Sequence, residues 1–173
     1  TNNCRPDYPP VPQHVVSERL LIRPSTREDM DLLMKWWNDP EVAGPGGNVD
    51  GMHYEDEDMD DWFRRYVDGR ACSTHFVICL HDSEQPIGEF YIASDDRPGC
   101  VGFAMAIGET QYWGNGYASE ALEAYASALF ETNSCESMRM DTRVDNERAI
   151  RMCEKVGFDV EHVWANCQFQ TMI

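Results

Sequence analysis

The stretch from Val101 to Phe130 constrains the fold most, because a strand, a glycine loop and a helix follow one another without a break. Residues 101–107 read as a strand, and Gln111-Tyr112-Trp113-Gly114-Asn115-Gly116 follows with no apolar period. From about residue 118 to 130, Leu122, Tyr125, Ala126 and Leu129 then fall on one helical side. Such a junction suits phosphate. Glycines let backbone N–H groups converge, and a helix start adds unbonded N–H groups and the positive end of its dipole. Taken alone, the loop also fits a plain strand-to-helix turn, which needs only one glycine. A nucleotide module is disfavoured, since neither Gly-Lys-Ser/Thr nor the three-glycine dinucleotide spacing is present.

Elsewhere the period marks further elements. Pro6, Pro9, Pro10 and Pro12 make residues 1–14 an extended arm, and residues 15–173 read as a single domain. Residues 19–23 form a first strand, and Ser25 with Glu28 has capping-box spacing. Met30, Leu33, Met34 and Trp37 make one helical stripe closed by Pro40; Met59, Trp62, Phe63, Tyr66 and Val67 make a second. From residue 74 the period shortens, and 74–80, 87–93 and 101–107 read as strands between turns. Met138, Met140 and Thr142 alternate with Arg139, Asp141 and Arg143 as a half-buried strand. A helix follows Asn146 and ends at Gly157, with two short strands near 160–164 and 168–173. The neighbouring strands imply hairpins and the strand–helix–strand part implies parallel pairing, so an α/β (α+β) mixed sheet with helices on both faces is expected.

Composition excludes several classes. Seven cysteines and five histidines show no zinc-type spacing, so no metal is expected, and an odd cysteine count fits a reducing cytoplasm. No run reaches the roughly 18 apolar residues of a membrane span, and the opening residues do not read as a signal peptide. The net charge of −17 disfavours nucleic acid and membrane partners, and either attracts cations or only keeps the chain soluble. Asp50, Glu55, Asp56, Glu57, Asp58, Asp60 and Asp61 crowd one stretch. They read either as dipole-favoured residues at a helix start or as an acidic rim for a polycation.

Two motifs then carry a family likeness. Residues 106–118, with Gln111, Gly114 and Gly116, resemble the pyrophosphate loop of the GNAT N-acetyltransferase superfamily. About thirty residues on, Asn146, Ala149, Ile150 and Arg151, with Glu154-Lys155-Val156-Gly157-Phe158, resemble its second hallmark. Glu18-Arg19-Leu20-Leu21-Ile22-Arg23-Pro24 is similar to its first strand. The likeness implies a mostly antiparallel sheet of six to seven strands, splayed at a bulge, with acetyl-CoA as cosubstrate. It implies cofactor contacts at Met105, Ala106 and Ile107, at Gln111, Tyr112, Trp113, Gly114, Asn115, Gly116, Tyr117 and Ala118, and at Asn146. The motifs are similar both to aminoglycoside 6'-N-acetyltransferases and to ribosomal-protein N-terminal acetyltransferases. The acceptor is therefore expected to be a small-molecule amine such as an aminoglycoside, with a protein N-terminus as the alternative.

The chemistry needs a base for the amine and a proton for the departing thiolate. Ala104 and Cys153 stand where relatives often carry an aspartate and a tyrosine, which admits a chain that binds acyl-CoA without turnover. Asp141, Glu89 or Glu109 is expected as base, and Cys153 or Tyr112 as acid. The bland alternatives are solvated charges for Asp141 and Glu89 and a packed apolar thiol for Cys153. Trp36, Trp37 and Trp62 are expected at the acceptor cleft or in the core. A short final hairpin has an edge able to pair, which allows a homodimer.

Overall fold

The computed structural model describes residues 9–68, 73–163 and 169–172, the last as backbone. Residues 1–8 of the expected arm, and parts of the two last expected strands, lie outside the described residues.

One eight-stranded sheet organises these residues, in the spatial order β1-β2-β3-β4-β5-β6-β8-β7. The strands are β1 (Val15–Val16), β2 (Leu20–Pro24), β3 (Ser73–Leu80), β4 (Pro86–Ser94), β5 (Cys100–Ile107), β6 (Ser137–Arg143), β7 (Val160–Val163) and β8 (Phe169–Met172). Neighbours run antiparallel except β5 and β6, which are parallel. The mixed, mostly antiparallel sheet is as expected, with the two-residue β1 as an added strand.

Helices α1 (Met30–Asn38), α2 (Pro40–Ala43) and α3 (Asp56–Tyr66) come between β2 and β3 in the chain. Helix α4 (Tyr117–Glu131) joins β5 to β6, and α5 (Glu147–Val156) follows β6. Strand alternation sorts the core into two clusters. Phe76, Ile78, Phe90 and Ile92 pack with Leu122, Tyr125 and Leu129 of α4 and Met152 of α5. Leu33, Trp36, Trp37, Met59 and Phe63 form a second cluster between α1 and α3. His75, Glu89 and Tyr91 occupy the alternate positions of β3 and β4, and so point toward that second cluster.

One local expectation is corrected. The first helical turn is capped one residue later than the Ser25–Glu28 spacing implies: Thr26 N–H donates to Asp29 Oδ2 at 2.8 Å. Asp29 is anchored there by both guanidinium nitrogens of Arg23, each at 2.8 Å, which frees Ser25 to turn inward. Helix α1 ends at Asn38, before Pro40 as expected, and Pro40 then opens the short α2, where Asp39 Oδ1 accepts from Glu41 N–H at 2.8 Å.

The feature that positions the site is where the sheet opens. Strands β5 and β6 pair only at Cys100–Ser137, Val101–Met138 and Gly102–Arg139. Beyond Gly102, β5 stays with β4 as far as Ile107, while β6 turns to β8 from Met140 onward. The register break of the central strands falls between β3 and β4, at Ile78/Cys79.

Candidate active site

A cleft of about 950 Å³ occupies this opening. One end is the glycine loop. Gly114 and Gly116 have φ of 76° and 79°, the left-handed region that strains any residue with a Cβ. With that backbone the loop turns directly into α4, whose first internal bond is Glu120 N–H to the Gly116 carbonyl at 3.0 Å. The N–H groups of Tyr117, Ala118 and Ser119 therefore lack intrahelical partners, no side chain caps the helix, and all three residues line the cleft. Trp113 Nε1 donates to the Ile107 carbonyl at 2.7 Å and clamps the loop to the end of β5.

Cations gather at this end despite the acidic chain. Arg148, Arg151 and Lys155 of α5 line the cleft, and the Arg148 guanidinium lies 3.8 Å from the Trp113 ring centroid. Arg19 stacks 4.3 Å from the Tyr117 ring, donates to the Asn115 carbonyl at 3.1 Å and pairs with Glu120 at 2.6 Å. Burial pushes the Glu120 carboxyl up, but hydrogen bonds from Ser17 and Arg19 outweigh it and hold the group below its ordinary value. Asn146 caps α5 through Ala149 N–H at 3.3 Å, and its amide reaches the Pro45 carbonyl at 3.2 Å, tying α5 to the loop after α2.

The other end is aromatic. Glu89 of β4 accepts from Trp37 Nε1 at 2.9 Å and contacts His75 Nε2 at 2.8 Å. The far nitrogen of His75, Nδ1, lies 2.5 Å from Ser25 Oγ, and Ser25 and His75 are both buried. Every polar atom of this buried chain thus has a partner, so the carboxylate is fixed in direction. Trp37, Trp62, Tyr66 and Tyr91 stand around it.

Behind these rings, Gly108 lets α1 approach the sheet. A Cβ there would fall within 3.0 Å of Cγ, Cδ2 and Cε2 of Trp36, so only glycine admits the indole. Trp36 Nε1 donates to Glu109 at 2.9 Å, and Lys35 pairs with the same carboxylate at 2.7 Å.

The cleft gathers most of the expected cofactor residues: Met105, Ala106, Ile107, Tyr112, Trp113, Gly114, Gly116, Tyr117, Ala118 and Asn146 line it. Gln111 and Asn115 are not among the lining residues. Of the expected acid–base groups, Glu89 and Tyr112 line the cleft, and Tyr112 Oη lies 3.3 Å from Gln85 Oε1. The other three are not among the lining residues. Asp141 is exposed and paired with Arg139 at 3.1 Å. Glu109 is held by Lys35 and Trp36, whose hydrogen bonds keep its carboxyl below the ordinary value. Cys153 is fully buried in the α4–α5 core, where burial pushes its thiol up to about 12.

Sequence reasoning missed His75 and Ser25, whose signal was only a lone histidine inside an apolar strand. It left Trp36, Trp37 and Trp62 open between core and cleft; all three line the cleft. None of the seven carboxylates between residues 50 and 61 does so.

A family model described as an acetyltransferase (GNAT) domain matches residues 19–159. Over 151 residues the chain is 24% identical to an uncharacterized N-acetyltransferase p20 of Bacillus licheniformis, covering 84% of this chain and 82% of that protein. Among solved structures it resembles RimL, a ribosomal L7/L12 alpha-N-protein acetyltransferase in complex with coenzyme A. That likeness has a TM-score of 0.77 at 13% identity, over 92% of this chain and 96% of the other. It also resembles AAC(6')-Ib in complex with ribostamycin and coenzyme A, with a TM-score of 0.74 at 19% identity, over 90% and 92% of the two chains. At these identities the structural likeness bears on the fold alone.

Proposed function

The chain belongs to the GNAT acetyltransferase family, and on that premise we propose that it transfers an acetyl group from acetyl-CoA to the primary amine of a small-molecule acceptor. The observation that carries this reading is one cleft with an uncapped helix start at one end and a fixed carboxylate at the other.

The residues fit coenzyme A. Its phosphates are anionic, and the free N–H groups of Tyr117, Ala118 and Ser119 meet them beside Arg148, Arg151 and Lys155. Beyond Gly102, β5 lacks a β6 partner, which leaves room along the strand for an extended arm bearing amides. Acetyl-CoA supplies the activated thioester.

Glu89 takes a proton from the bound ammonium, because only the neutral amine attacks. Trp37 and His75 keep that carboxylate aimed at the acceptor. As the N–C bond forms and the C–S bond breaks, the sulfur takes the Tyr112 phenol proton, the nitrogen's second proton restores that phenol, and Glu89 releases the first proton to solvent. Holding amine and thioester in one closed cleft contributes several kcal/mol more, of the order known for oriented reactants.

Calorimetry with coenzyme A and thiol release from acetyl-CoA over aminoglycosides, polyamines and N-terminal peptides test the proposal. Binding with amine-dependent thiol release supports it. Binding with no release from any amine leaves a non-catalytic acyl-CoA binder, and release only with peptides moves the acceptor to a protein N-terminus.

A further inference from the structure

We propose that the acceptor is a monoamine with a flat apolar body, an arylalkylamine in chemical class, and not a polycation. The inference rests on the acetyl-transfer reading above and narrows its acceptor.

Glu89 is the only carboxylate among the described residues lining the cleft. The acidic stretch between residues 50 and 61 lies outside the cleft lining. Asp60 is bridged by Arg27 and Arg64, and Asp61 pairs with Arg64 at 2.6 Å. Three cations, Arg148, Arg151 and Lys155, line the same cleft, and Arg148 sits at the glycine-loop end over Trp113.

The walls around Glu89 are rings. The Trp62 ring centroid lies 4.9 Å from those of Trp37 and His75 and 5.4 Å from that of Tyr66. Tyr91 completes the group 6.2 Å from His75. Trp62 stands nearly perpendicular to His75, at 85°, and at 71° to Trp37, so the rings brace one another.

A single ammonium finds here both a carboxylate and aromatic faces that attract cations. The rest of its molecule meets indole and phenol surface, against which a flat ring packs with little loss of conformational freedom. A second or third ammonium on the same molecule would leave water without a matching carboxylate, and buried unpaired charge is strongly unfavourable.

Thiol release is measured at saturating acetyl-CoA with phenethylamine, tryptamine, spermidine and kanamycin. The expected kcat/KM is about tenfold or more higher for the two arylalkylamines, the scale of a desolvated cation–aromatic contact. Trp62→Leu and Tyr66→Leu, made separately, each shrink that preference through KM, with coenzyme A affinity by calorimetry held within about twofold of the parent as the check that the fold survives. Higher kcat/KM for spermidine or kanamycin overturns the monoamine assignment while acetyl transfer stands. Release with none of the four, although coenzyme A binds, overturns the monoamine assignment together with the reading it rests on. A preference untouched by both substitutions overturns the role of the rings.

Discussion

Replacing Gly108 by alanine is expected to damage stability and activity together, because this position is where the sheet meets α1. The added Cβ would sit within 3.0 Å of three ring carbons of Trp36, whose residue is 1% exposed, so the indole must shift to admit it. Overpacking of this kind costs about 1–3 kcal/mol. Moving the indole also breaks its 2.9 Å bond to the Glu109 carboxylate, and a hydrogen bond to a charged group is worth about 1.5–3 kcal/mol. The combined expectation is about 3–5 kcal/mol, or a fall in Tm of roughly 6 °C or more for a domain of this size. Trp37 follows Trp36 on the helix and holds Glu89, so kcat should fall as well. Urea unfolding followed by tryptophan fluorescence, with steady-state thiol release, gives both readouts. Gly102→Ala is the control, since its Cβ would meet only the Ala93 carbonyl at an ordinary 3.9 Å. A Gly108→Ala protein within about 1 kcal/mol of that control would refute the packing argument, since overpacking alone exceeds it.

Three further outcomes are expected. Glu89→Gln should lower kcat by about 10²–10⁴-fold, the range for a lost general base, with coenzyme A affinity unchanged; an equal loss from Asp141→Asn would count against the assignment. Arg148→Ala should weaken coenzyme A binding by about three- to tenfold, measured by calorimetry at two salt concentrations, as a cleft cation and its stacking on Trp113 are lost. Burial pushes the Asp29 carboxyl up, but bonds from Arg23 and Thr26 outweigh it and leave the group below its ordinary value. Its contribution is thus fully present above an unfolded value of about 3.9 and is lost as pH falls through the lower folded value. Asp29→Asn should cost about 3 kcal/mol at pH 7 by leaving Arg23 without its partner, and should flatten the acid limb of a denaturation series.

Contiguous signals were readable. The strand periods gave the central hairpins, and Gln111, Gly114 and Gly116 marked the loop whose two glycines take left-handed backbone. Asn146 and Gly157 marked the ends of α5. Cys153 stayed open between an acid and a packed thiol, because a family position says where a residue lies along a helix, whereas the face of α5 that lines the cleft is set by its packing on α4. Ser25 was misread because its capping spacing is local, while its partner His75 lies fifty residues away on β3. The acidic stretch was misleading for a related reason. Charge density along the chain does not say which of these carboxylates Arg27, thirty-three residues away, will reach, nor which face of α3 turns toward the cleft.

The sequence by itself determined the phosphate-type loop, the order of strands and helices and the family likeness, because each of these depends on residues within a turn or two of one another. The tertiary structure alone decided which acid faces the acceptor. Glu89, His75, Ser25 and Trp37 come from β4, β3, the turn before α1 and α1 itself, and they meet only through strand register. A slip of one residue between β3 and β4 would send Glu89 to the opposite face and leave the aromatic walls with no carboxylate to surround.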